Sequence, residues 1–346
     1  MAEQLDFGAL GFKYRKTNVI VSSLYSDGKW SEPVASADFD FKFSAFAGVF
    51  HYANSCFEGL KAFRGVDGKI RLFRPDENAK RLQRSGAHLD MAAPSEEMFI
   101  DMCLRCVKEN LDFLPPYGYN ASMYIRPVLI GCNPQLGIAS SKEVLFAVMC
   151  APVGSYSGAA SLSPGTAVIA RNYDRAAPNG TGAFKISANY ATSLHPYNMA
   201  HAQGYRELLF LDPATKTYID EFGSSNFLAI KGNSYVTPLS DSVLPSITNK
   251  SLQAVAEDFG LKVEKRRVPV EELAEFEEVN ACGTAVVITP ICSVDDKQKL
   301  EDTVVTKTYK IGSPDKCGAV SEKLYKRLRG ILVGLEEDTH NWCIYL

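Results

Sequence analysis

The sequence has no surplus of either charge and no long apolar run. Its 37 lysines and arginines face 40 aspartates and glutamates, for a net charge of −3. That balance excludes a basic surface built for nucleic acid and a polybasic segment for an anionic membrane. No stretch approaches the roughly 18 apolar residues that a spanning helix needs. The first residues carry Glu3 and Asp6 and no apolar block, which reads as neither a secretory signal nor a transit peptide. Nucleotide-binding signatures are missing: there is no Walker-type loop and no G-x-G-x-x-G. So are a G-x-S-x-G elbow and any His/Cys/Asp cluster at metal-ligand spacing. Internal repeats and low-complexity tracts are absent too.

What is present fits a soluble globular protein. The apolar fraction is 46% and the charged fraction 22%, ample for a large core. The nine cysteines are odd in number and scattered, several in apolar runs such as the one ending at Cys150. They read as buried thiols in a reducing compartment, so a cytoplasmic location is expected. Cys103 and Cys106 form a C-x-x-C, but it lies within a helical pattern and no second pair matches it, so no zinc site is expected.

The 346 residues suggest about two domains. A stretch rich in Gly, Ser and Ala at 154–165 divides residues 1–153 from 166–346 and reads as a linker. Before it, strands are expected at 18–22, 121–130 and 143–152, and helices at 76–90 and 96–112. Ser95 would cap the second helix. Asp67-Gly68 suits a primed hairpin turn between 62–64 and 69–73. In strand 121–130, alternation puts Tyr124 and Arg126 on one side. An arginine there needs an anion, either an internal carboxylate or that of a substrate. After the linker come strands at 166–171, 206–211 and 227–231, and helices at 187–203, 247–260 and 321–335. Thr248 is the expected cap of the 247–260 helix and Gly260 its stop.

The chemistry centres on residues 178–190, Pro-Asn-Gly-Thr-Gly-Ala-Phe-Lys-Ile-Ser-Ala-Asn-Tyr. Lys185 sits among small and apolar residues, where its amine is a candidate nucleophile for Schiff-base chemistry. A solvated surface lysine is the plain alternative. A phosphate-bearing cofactor would need backbone donors and a cation. Ile247-Thr248 at a helix start, Gly283-Thr284 and Arg81 offer them. An ordinary cap, an ordinary turn and a solvated arginine are the alternatives. A pyridine-type cofactor needs an acid at its ring nitrogen, and Glu221 qualifies, ending an apolar strand before the small run Gly-Ser-Ser-Asn. A pairing of Glu221 with a surface lysine is its alternative.

Taken together, seven segments resemble the branched-chain amino acid aminotransferases, fold-type-IV pyridoxal-phosphate enzymes. They are 52–63, 71–75, 124–130, 185–190, 221–226, 244–252 and 283–290, in order and across both halves. The Tyr-Ile-Arg-Pro at 124–127 favours this family over the D-amino acid aminotransferases and aminodeoxychorismate lyases of the same fold.

The resemblance implies an α/β (α+β) protein, with a small N-terminal α/β domain, a larger pseudo-barrel C-terminal domain and the cofactor between them. It implies pyridoxal 5′-phosphate as cofactor and transfer of the amino group of L-leucine, L-isoleucine or L-valine to 2-oxoglutarate. Lys185 would carry the cofactor and shuttle the substrate proton. Tyr190 would bond the phenolic oxygen and Glu221 the ring nitrogen. Arg81, Ile247, Thr248 and Thr284 would cradle the phosphate. Tyr52, Phe57, Tyr124 and Tyr156 would wall the side-chain pocket, with Arg126 receiving the distal carboxylate of glutamate. Ala285 and the backbone near Ser224 would bind the α-carboxylate. The family is usually homodimeric. One departure is that Val286-Val287-Ile288-Thr289 replaces the redox C-x-x-C that some eukaryotic members carry after Gly-Thr-Ala.

Overall fold

A computed structural model describes residues 5–154 and 162–346. Tyr156 lies outside the described residues. Two units emerge. The first is built from the described residues up to 154, with Phe184–Ala188 and Gly330–Leu346; the second from 162–183 and Asn189–Arg329.

The first unit runs β1 (Ile20–Ser26), β2 (Lys29–Trp30), β3 (Val34–Ser36), α1 (Gly48–Tyr52), β4 (Ser55–Phe57), β5 (Leu60–Arg64), β6 (Ile70–Phe73), α2 (Pro75–His88), α3 (Glu96–Glu109), β7 (Ser122–Gly131) and β8 (Val144–Val153). The long β7–β8 pair forms its spine, antiparallel from Ser122 opposite Val153 to Gly131 opposite Val144. Alternation along β7 sends Met123, Ile125 and Leu129 into a core with Leu82, Phe99 and Met102 of α2 and α3. Tyr124 and Arg126 are left half-buried on the other face. Burying each large apolar side chain in such a core contributes about 1.5–3 kcal/mol.

Ser95 caps α3 as expected, its hydroxyl accepting from the Met98 N–H at 3.1 Å. The helix stops at Glu109, short of 112, because Asn110 leaves the helical path. Its Oδ1 accepts from the N–H groups of Asn18 (2.7 Å) and Val19 (3.0 Å), tying the chain before β1 to the helix end. The primed turn is not at Asp67-Gly68, where only Gly68 has positive φ (76°) and the Asp67 carboxylate is taken by Arg71. It is at Asp27-Gly28, with φ of 51° and 82°.

The second unit adds β9 (Gly165–Ile169), α4 (Ser187–Ala202, whose first two residues belong to the first unit), β10 (Glu207–Leu211), β11 (Ile219–Phe222), β12 (Asn226–Lys231), β13 (Ser234–Pro238), α5 (Ile247–Asp258), β14 (Lys262–Arg266), β15 (Glu278–Gly283), β16 (Val287–Asp296), β17 (Lys307–Lys310) and α6 (Ala319–Val333, whose residues from Gly330 on belong to the first unit). The pairings β11-β10-β9-β16-β15-β12 return to β11, so six strands close into a ring. The closing pair is Glu221 opposite Asn226. Ile169, Leu209, Phe222, Phe227 and Val279 share its main core, while Val168, Leu208 and Phe210 pack with Ala200 of α4. Ring closure removes the unpaired edges an open sheet would expose. The chain ends in β18 (Cys343–Tyr345), which pairs with β6 in the first unit.

The cap of α5 is Ser246, not Thr248: its hydroxyl accepts from the Asn249 N–H at 3.2 Å. Gly260 follows the helix end with φ of 78°, as a stop requires. The acidic segment after Pro269 is a 3-10 turn, Val270–Ala274.

Candidate active site

In the first unit the backbone on both sides of Lys185 is pinned. Its N–H donates to the buried Ser85 hydroxyl of α2 at 3.0 Å, and its carbonyl accepts from the Phe57 N–H at 3.1 Å. Ile186 bridges to Cys56 of β4, the Ser55 and Ser187 hydroxyls meet at 2.7 Å, and Phe184 stacks on His88 with centroids 3.9 Å apart. The side chain is half-buried, with Nζ 4.8 Å from the centre of the Phe57 ring. The lysine thus lies over an aromatic face, not on an open surface.

The same ring meets Arg126, whose guanidinium is 4.8 Å from the Phe57 centroid and 5.2 Å from that of Tyr124. Its Nη2 donates to the Tyr124 hydroxyl at 3.2 Å, and its buried Nε has no hydrogen-bond partner. Among the described residues no carboxylate pairs with Arg126, so the internal anion weighed above is not found there. Gly59 has to be glycine: a Cβ would collide with the Tyr124 hydroxyl. Tyr52, at the end of α1, donates its hydroxyl to the Leu136 carbonyl at 2.5 Å, joining that helix to the loop after β7.

Arg81 is buried in α2, and its Nε and Nη2 donate to the two oxygens of Glu58, each at 2.7 Å. Asn78, three residues earlier on the helix, adds a third bond at 2.7 Å. A two-pronged pair of this kind holds both partners rigidly. Glu58 was not singled out from the sequence. The available signal was a carboxylate within the apolar, glycine-flanked Phe57-Glu58-Gly59, needing a buried cation.

In the second unit Glu221 is 3% exposed. Its Oε1 accepts from the Arg175 guanidinium at 2.7 Å and from the Leu244 N–H at 3.0 Å; its Oε2 accepts from Asn226 at 2.8 Å. The partner is therefore an internal arginine rather than a surface lysine. Burial pushes the Glu221 carboxyl above its ordinary range, while Arg175, the Leu244 N–H and Asn226 pull it back. Arg175 also donates to the carbonyls of Gly182, in the glycine-rich loop, and Ser242, in the loop before α5. Sequence reasoning passed over Arg175, which reads as an ordinary loop arginine ten residues before the lysine.

The other expected positions in this unit lie on turns and helix starts. Tyr190 is half-buried in the first turn of α4. Ile247 and Thr248 open α5, and among the described residues their backbone N–H groups find no acceptor. Such orphan donors at a helix start suit an anion. Thr284 and Ala285 form the tip between β15 and β16, and Gly283 there faces Ser225 of the turn that holds Ser224. The first unit thus brings together Phe57, Tyr124, Arg126 and Lys185. The second holds Tyr190, Glu221, Ser224, Ile247, Thr248, Thr284 and Ala285.

These features define a two-unit enzyme fold with a pinned lysine and a donor-lined buried acid. A family model described as "Amino-transferase class IV" matches residues 55–294. The branched-chain-amino-acid aminotransferase of Helicobacter pylori is 42% identical over 342 residues, covering 98% of this chain and 97% of that protein. The crystal structure of the Escherichia coli branched-chain amino acid aminotransferase covers 95% of this chain and 99% of its own, at 27% identity and a TM-score of 0.76. A T.th. branched-chain amino acid aminotransferase with pyridoxamine 5′-phosphate shares the fold at 24% identity and a TM-score of 0.75, covering 96% and 99%. The chain belongs to the class IV aminotransferases, within the branched-chain-amino-acid aminotransferase family.

Proposed function

We propose that this protein transfers the amino group of L-leucine, L-isoleucine or L-valine reversibly to 2-oxoglutarate, giving branched 2-oxo acids and L-glutamate, with pyridoxal 5′-phosphate as its cofactor. Full-length similarity to enzymes of that name supports the reading. The observation that carries the substrate class is Arg126 between the Phe57 and Tyr124 rings, with no carboxylate paired to it among the described residues. Aromatic faces bury an aliphatic side chain, and the arginine answers the distal carboxylate of glutamate. One surface thus serves both partners of the exchange.

The chain's residues fit the cofactor. Lys185 offers the amine that would carry it. Glu221 retains acceptor capacity on Oε2, where only Asn226 donates, and would take the ring N–H. The unanswered N–H groups of Ile247 and Thr248, with Thr284 and Arg81, would hold the phosphate; Arg81 would do so while locked to Glu58. Tyr190 would bond the phenolic oxygen, and Ser224 and Ala285 the substrate α-carboxylate. Tyr52 and Tyr156 would complete the side-chain pocket. When bound, pyridoxal 5′-phosphate supplies the electron sink that stabilises negative charge at the substrate Cα. Lys185 Nζ would take the Cα proton. Arg126 selects among substrates by charge.

Homodimerisation is part of this reading. Phe46 before α1 and Phe50 within it, and Leu136 and Ile138 (82% and 89% exposed) in the loop after β7, present apolar surface in the first unit. Gln135 N–H to Phe46 carbonyl, at 2.9 Å, ties the two segments together. Exposed apolar surface of this kind suits a second copy of the chain. All nine cysteines are free, which fits a reducing cytoplasm, and no described helix is long and apolar enough to cross a membrane. Small amino and oxo acids are proposed as its partners, with neither nucleic acid nor a membrane among them. Residues 1–153 and 166–346 are proposed as its two domains.

The test is an absorbance spectrum of the purified protein. A cofactor band that shifts with L-leucine and returns with 2-oxoglutarate is expected, with Lys185→Ala abolishing both the band and turnover. A band responding only to D-alanine, or a Lys185→Ala variant with full turnover, would overturn the assignment.

A further inference from the structure

The second unit contains a chain of buried amides ending on Glu221. Asn226 donates to Glu221 Oε2 at 2.8 Å and to the Leu244 carbonyl at 3.0 Å. Asn249 donates to Asn226 Oδ1 at 3.0 Å and to the Thr237 hydroxyl at 2.9 Å. Gln253 donates to Asn249 Oδ1 at 3.0 Å, and so does the Tyr235 hydroxyl at 2.7 Å. All of these side chains are buried.

Chemistry forces the direction of this chain. A carboxylate and a carbonyl only accept, so Asn226 must turn its NH2 toward Glu221 and Leu244. Its oxygen then faces Asn249, which must donate. The oxygen of Asn249 is left to accept from Gln253 and Tyr235. Every amide points its donor end toward Glu221, and bonds aligned this way polarise one another in a low-dielectric interior. The chain also has a structural span. Asn249, two residues beyond Ile247, and Gln253 lie one turn apart on α5, while Asn226 opens β12 as the backbone partner of Glu221.

We infer that the line Gln253–Asn249–Asn226 is a positioning device for the proposed reaction: it holds the Glu221 carboxylate charged and aimed, and fixes it relative to the start of α5. This rests on the reading that Glu221 serves the ring nitrogen. Asn226, Asn249 and Gln253 act through Glu221 and are positioning residues. Through them, the acid and the phosphate-binding helix start move as one body.

The test uses holoenzyme loaded with cofactor labelled with 15N at the ring nitrogen, whose chemical shift reports protonation as pH is varied. Asn226→Leu should lower the proton affinity of the ring nitrogen about tenfold, as loss of a hydrogen bond to a charged group implies. Asn249→Leu should lower it less and Gln253→Met least, in the order of distance from Glu221. Thr237→Val, a change of equal depth on a side branch, should leave the titration in place. If Asn249→Leu fails to fold, Gln253→Met against Thr237→Val decides. Wild-type titrations in the relay variants, with a displaced one in Glu221→Gln, would overturn the inference alone. An unchanged titration in Glu221→Gln would overturn the ring-nitrogen reading beneath it.

Discussion

Two glutamates of the second unit, Glu221 and Glu207, are almost equally hidden from water, at 3% and 8% exposure. Their surroundings differ completely. Glu221 receives a guanidinium, a backbone N–H and an amide. Glu207, at the start of β10, has one oxygen with no donor at all. The Arg206 charge only partly offsets its burial, and the carboxyl is pushed up to about 7. Burial alone therefore makes an acid that tends to neutrality. A buried acid stays useful as an anion only where the fold aims donors at it.

Replacing each acid separately tests that contrast. Glu221→Gln keeps the shape and removes the charge, and turnover should fall about 10²- to 10³-fold. Glu207→Gln should leave turnover within about twofold in the same assay; a comparable loss at both sites would erase the distinction. Arg175→Met removes the strongest donor and strands a charge. Denaturant unfolding should show a loss of about 3–5 kcal/mol. Adding Glu221→Gln should recover much of it, and additive losses would show that the pair is not coupled.

The smallest effect is the pH dependence of Glu207. Between pH 4.5 and about 7 the unfolded chain releases this proton while the folded chain keeps it. Its contribution to stability is therefore complete below pH 4.5, falls as pH rises through that window, and levels off above it. Glu207→Gln removes the dependence. Its stability relative to wild type should rise by up to about 3 kcal/mol between pH 4.5 and 8, seen as diverging unfolding midpoints.

Much of this arrangement was legible in the residues, and what was not has specific causes. Tyr124 and Arg126 declared a shared face through strand alternation, and Ser95 and Gly260 marked helix ends by local chemistry. Lys185 and Glu221 stood out through their neighbours. The α5 cap was misplaced because Ser246 and Thr248 are both competent, and only the backbone path out of Pro245 decides between them. Glu58 and Arg175 were invisible because each matters through one partner 23 or 46 residues away. β14 went unseen because its sequence, Lys-Val-Glu-Lys-Arg, has an edge strand's polarity, and β18 because three residues carry too little pattern. The closed ring depends on β9 lying parallel to both β10 and β16, which no local signal encodes.

That closure has a kinetic side. Glu221 and Asn226 meet across a turn of only a few residues, so the acid and its first amide can come together early and cheaply. The parallel pairing of Gly165 with Ile291 spans more than a third of the chain, and such distant pairings govern the pace of assembly. In refolding, strand content should recover before the cofactor's spectroscopic signature does. A signature that returned with the first strand signal would mean that the acid end of the site is finished before the ring around it.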